Sequence, residues 1–120
     1  MRFALLLAAP LLLAAAGDMS VATFLRKADA LKAKGAMAMF SGDLKLLMGE
    51  GRAAGQRWRA GLEADKRAGR TPSACPTGKI SMGSDEMLAL LRRVPPAERA
   101  RTSVTQAFAR DMSRRYPCKR

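Results

Sequence analysis

The chain has no histidine and only two cysteines among its 120 residues. Without histidine there is no Ser-His-Asp or Cys-His nucleophile system, and the commonest side-chain ligand of transition metals is missing. Aromatic residues are few: four phenylalanines, one tryptophan and one tyrosine. A core must therefore be built from Leu, Met, Val and Ala, a composition that suits helices. No stretch alternates polar and apolar residues long enough to predict a strand. A glycine-rich phosphate loop is also absent, because Gly49, Gly51, Gly55 and Gly61 match neither the Walker nor the dinucleotide spacing. Two acid pairs exist, Asp85/Glu86 and Glu63/Asp65. The first suits a helix N-terminus and the second a solvated helical face, so neither is nominated as a catalytic pair. The sequence thus offers no catalytic residue, no metal ligand set and no cofactor site. It predicts a protein that binds and is not an enzyme.

A long apolar run is present only at the start, in "MRFALLLAAPLLLAAAGDMS". Arg2 gives a positive beginning, Phe3 to Ala16 form an apolar run of 14 residues, and Ala14-Ala15-Ala16 end in small side chains. This is the pattern of a secretory signal peptide over residues 1–17, cleaved near Ala16 or Gly17. The run is short for a spanning helix, which needs about 20 apolar residues. No cysteine follows it to carry a lipid anchor. The competing readings are a retained anchor and translation from Met19. With export, the chain is periplasmic, and residues 18–120 form a single domain.

Export gives the two cysteines a meaning. In an oxidising compartment an even count argues for a disulfide, here Cys75 to Cys118. A bridge closing so long a loop is worth roughly 4 kcal/mol in the chain-entropy picture. That is large beside the roughly 5–15 kcal/mol of a typical domain. Two free buried thiols are the alternative if the chain is not exported.

Apolar periodicity predicts four main helices. "SVATFLRKADALKAKG" puts Val21, Phe24, Leu25, Ala28 and Leu31 on one face, with Ser20 as cap and Gly35 as stop. A short link, "AMAMFSG", follows. From Asp43 a stripe of Leu44, Leu47, Met48, Gly51, Gly55, Trp58 and Leu62 continues to Arg67, with Gly69 as the end. Each glycine in that segment costs about 0.8–1 kcal/mol relative to alanine. Either the helix breaks near 49–55 or the glycines admit a close neighbour. After the Pro- and Gly-rich loop "RTPSACPTGKISMG", a third helix starts at Ser84. Asp85 and Glu86 lie in its first turn, Arg92 and Arg93 in its last, and Met87, Leu90, Leu91 and Val94 face inward. Pro95-Pro96 stops it. The fourth helix runs from about Ser103 to Arg115, with Val104, Ala107, Phe108 and Met112 inward and Pro117 ending it. The expected fold is an all-α bundle stapled by one disulfide.

The formal net charge is +12. Basic residues cluster at Arg52/Arg57/Arg59, Lys66/Arg67/Arg70, Arg92/Arg93/Arg99/Arg101 and Arg110/Arg114/Arg115/Lys119/Arg120. Arg110 and Arg114 fall opposite the apolar stripe of the fourth helix and are the candidate partner-binding basic face. The plainer reading is a solvated surface, since net charge alone speaks to solubility and non-specific contact. No nucleic-acid reader module is visible and aromatic interleaving is slight, which argues against nucleic acid. An acidic protein, an anionic membrane surface or an anionic envelope polymer fits an exported chain better.

The stretch "CPTGKISMGSDEMLALLRRVPPAERARTSVTQAFARDMSRRYPC" combines a Cys-Pro start, a turn, a helix, a Pro-marked link and a helix closing in aromatic-Pro-Cys. Together with "WRAG" at Trp58 to Gly61, it resembles the Rap/Tai-type immunity proteins of type VI secretion, over residues 58–118. The most specific pieces are Cys75-Pro76 and Tyr116-Pro117-Cys118. The resemblance implies a small exported all-α protein, often a homodimer, with Cys75 and Cys118 as the bonded pair. It also implies a function: blocking the active-site cleft of a cell-wall amidase delivered by a neighbouring cell. Many members carry further cysteines in their first half, where this chain has none, and no inhibitory residue carries over. Two other readings stand beside it, a basic module that coats anionic lipid or polymer, and a protein of the same fold without a toxin partner.

Overall fold

Ser20 starts the first helix. In the computed structural model, which describes residues 18–119, its hydroxyl accepts the Thr23 N–H at 3.1 Å and α1 runs Val21–Lys34. The expected signal segment, residues 1–17, lies outside the described residues. Gly35 ends α1 at φ 59°, a left-handed conformation that glycine adopts without steric cost. The link expected after it is instead a 3-10 helix, Gly35–Phe40. Ser41 then caps α2, Gly42–Arg67, by accepting the Asp43 N–H at 3.3 Å. Helix α3 spans Ser84–Arg92 and α4 spans Val104–Arg115, with a short 3-10 turn Pro96–Glu98 between them.

The four helices expected from periodicity and the disulfide expected from the cysteine count are both present. The core is a single apolar cluster to which every helix contributes, including Val21, Phe24, Trp58, Leu91, Phe108 and Met112. Helix α2 packs chiefly on α4. At that seam Trp58 and Phe108 meet edge to face, 5.4 Å between centroids, a geometry favoured by the ring quadrupoles. The 26-residue α2 is unbroken, so the glycines do not interrupt it. Nor do they bring the backbone of another helix into contact. A Cβ at Gly51 would meet only Met87 Cε, at 3.6 Å, and at Gly49, Gly55 or Gly61 nothing within 4 Å.

The starts of α1 and α4 are tied together. The first N–H groups of a helix have no partner inside it. Here Val21 N–H donates to the Thr102 carbonyl at 2.8 Å, and Ala22 N–H to that of Arg99 at 3.0 Å. In return Val104 N–H donates to the Met19 carbonyl at 2.8 Å. Helix α4 also carries a full capping box, Ser103 with Gln106. At the other end of α3, Arg99 donates to the carbonyls of Val94 (2.8 Å) and Arg92 (2.9 Å), satisfying acceptors that the helix leaves free.

Tyr116 follows α4 with φ −126° and ψ 62°, outside the helical region, as its position before Pro117 requires. Its carbonyl accepts the Cys75 N–H at 2.8 Å. That bond brings the 68–83 loop against the chain end. Cys75 and Cys118 are bonded there, their Cα atoms 4.8 Å apart, within the ordinary range for a disulfide. The adjacent Ala74 is buried in the core. Among the described residues no helix is long and apolar enough to cross a membrane.

Candidate functional site

The two arginines nominated from sequence share the outer face of α4 but differ in what they touch. Arg110 is exposed and belongs to no ion pair among the described residues. Arg114 is committed to its own helix, where its guanidinium bonds Asp111 Oδ1 at 2.5 Å. Asp111 is buried, and sequence reasoning did not single it out. Arg93, from the end of α3, approaches the same Oδ1 at 2.8 Å, and Arg115 Nε lies 2.7 Å from Oδ2. Arg115 also reaches Glu86 in the first turn of α3 at 3.6 Å. One buried carboxylate thus gathers three arginines and locks α3 to α4. The available clue was position: Asp111 falls between Phe108 and Met112 on the inward stripe.

The paired acids are engaged in surface contacts. Glu63 lies 3.6 Å from Lys66 and Asp65 lies 3.2 Å from Arg70. No group of three or more His, Cys, Asp or Glu among the described residues is arranged to hold a metal ion. Glu50 on α2 is buried and accepts the Met19 N–H at 3.2 Å, which anchors the segment entering α1.

Two features have the form of binding surfaces. The first is a stretch of exposed apolar side chains. Among the described residues, every large hydrophobic side chain that stands exposed lies within 37–48: Met37, Met39, Phe40, Leu46 and Met48. Phe40 is 84% exposed. They occupy the 3-10 helix and the first turns of α2, where a core-facing role would have buried them.

The second is a cavity of about 770 Å³ between α1, α2, α3 and the 80–83 segment. Its floor is core: Phe24, Leu47, Trp58 and Phe108, each buried. Gly51 and Gly55 form part of its α2 wall. Arg52 and Arg59 stand at its edge, and the Arg59 guanidinium lies 5.6 Å from the Trp58 ring centroid. Neither surface was legible in the sequence, because one depends on which apolar residues escape burial and the other on the spacing of three helices.

No family model, no curated protein and no solved structure matches this chain.

Proposed function

We propose that the protein is an exported, non-catalytic binding protein that inhibits a cell-wall amidase, with the 37–48 stretch as its contact surface. The observation that carries the binding reading is the concentration of exposed Met37, Met39, Phe40, Leu46 and Met48 in that one stretch. Large exposed apolar side chains are costly in water, and clustered ones mark sites where another surface covers them. Methionine and phenylalanine suit such a contact: the one adapts its shape and the other buries a large area. The amidase as target rests on the resemblance of residues 58–118 to Rap/Tai-type immunity proteins. With Arg2 lost in the cleaved segment, 21 basic and 10 acidic residues remain, and the resulting net charge of +11 would steer association toward an acidic rim on the partner.

The test is inhibition of cell-wall amidases, drawn from the same genome and from close relatives, by the purified protein. Inhibition by wild type that is reduced at least tenfold by Phe40→Asp supports the reading. No binding and no inhibition across the panel overturns it, and leaves the coating of anionic lipid or polymer. That alternative announces itself by binding to anionic vesicles that is lost as salt rises.

A further inference from the structure

We propose that the cavity between α1, α2 and α3 is a binding site for a long-chain fatty acid, its acyl chain over Trp58 and its carboxylate on Arg52 or Arg59. The site adjoins the 37–48 contact, sharing Met48 with it, but its argument does not depend on the amidase reading.

The cavity is deep in a specific sense: its floor is made of side chains that belong to the core itself, Phe24, Leu47, Trp58 and Phe108. At about 770 Å³ it falls inside the roughly 300–1,000 Å³ usual for small-molecule sites. Met48, Met82 and Met87 contribute to its walls, and methionine adjusts to a flexible apolar chain.

The glycines of α2 explain how the space is kept open. Gly51 and Gly55 face the cavity, and a Cβ at Gly55 would meet nothing within 4 Å. Glycine there costs about 1 kcal/mol of helix stability relative to alanine. Nothing packs against it in return. What the absent side chain leaves behind is room.

Charge selects the ligand class. Among the described residues, the only charged ones lining the cavity are Arg52 and Arg59. Neither has a carboxylate partner among the described residues. Seven positions apart on one helix, they lie about 10 Å from each other along its axis. The lining is mainly apolar, with Gln56, Ser81 and Ser84 as its uncharged polar side chains, so most backbone N–H and C=O groups of an extended peptide would lose water there without gaining partners. An acyl chain carries no such groups. Its single carboxylate matches a guanidinium, which binds it through charge-assisted hydrogen bonds.

Trp58 is the only tryptophan in the chain and lines the cavity, so its fluorescence reports occupancy. The experiment titrates the purified protein with palmitate and with hexadecanol, both below their aggregation thresholds, and checks stoichiometry by calorimetry. A saturable Trp58 signal at one palmitate per chain is expected. Gly55→Leu should weaken palmitate binding at least tenfold while the melting temperature holds or rises. Arg52→Gln combined with Arg59→Gln should weaken palmitate by about tenfold, the loss of one charge-assisted hydrogen bond, and leave hexadecanol unchanged. The double variant alters only exposed side chains and keeps the test decisive should Gly55→Leu fold poorly. Absence of a saturable signal overturns the proposal, as does equal binding of palmitate by the charge-free variant. A wild-type dimer by sedimentation that Gly55→Leu returns to monomer, without palmitate bound, also overturns it and assigns the cavity to a second copy.

Discussion

Among the described residues, Asp111 gathers more ion pairs than any other. A carboxylate buried without partners would be costly, and truncating one member of a buried, hydrogen-bonded pair strands the others. Arg93, Arg114 and Arg115 surround it, but two of them are more than half exposed, which limits what each contact is worth. Asp111→Asn is therefore expected to lower stability by about 1–3 kcal/mol, measured by urea unfolding; an unchanged midpoint would mean the cluster is ornamental. The same cluster separates the two arginines that the helical wheel had paired. Arg114→Glu should destabilise the fold, because it sets a carboxylate beside Asp111. Arg110→Glu should leave melting unchanged and slow association with an acidic partner, an effect that fades as salt rises. Equal melting losses for both would contradict the structure. The outward face of α4 was readable from spacing alone, and so was the inward placement of Asp111. Arg93 was not, since it arrives from 18 residues away through the packing of α3 on α4.

Helix α2 poses the question of why four glycines sit in one helix. The structure answers it unequally. Gly51 and Gly55 face the cavity, whereas Gly49 and Gly61 face open space, where an added Cβ meets nothing within 4 Å. At those two positions alanine should simply improve the helix, by about 0.5–1 kcal/mol each. Urea unfolding of Gly49→Ala and Gly61→Ala checks this, and a loss of stability at either would argue that α2 is not continuous there. Elements with strong local signals were legible in advance. Ser20, Gly35 and Gly69 mark ends that the structure keeps, and the fourth helix starts at Ser103 as expected, its capping box with Gln106 being a finding of the structure. The "AMAMFSG" segment was not. Its alanines and methionines give no period, and whether they form a loose link or a tight 3-10 turn depends on how α1 and α2 are brought together.

At the scale of the whole molecule, periodicity and cysteine count together carried the fold: four amphipathic stripes demand a shared core, and one bridge joins loop to chain end. The bridge matters because of what it holds. The 68–83 loop is long and irregular, with Ala74 as its buried anchor and one backbone hydrogen bond to the chain end, Cys75 N–H to the Tyr116 carbonyl, beside the disulfide. Farther along, Ile80 and Met82 line the cavity. The cysteines lie 43 positions apart, so their bond removes a large share of the unfolded chain's freedom. Cys118→Ser is expected to cost about 2–5 kcal/mol, the range for native bridges in small secreted domains. The loss should also be uneven. Amide hydrogen exchange should rise first around Cys75 and along the loop to Met82, while the α2–α4 seam at Trp58 and Phe108 keeps its protection until global unfolding. Thermal melting of the variant tests the size of the effect and exchange tests its location. A variant that melts at the wild-type temperature, or one whose seam opens together with the loop, would show that the helices hold the chain end without the staple.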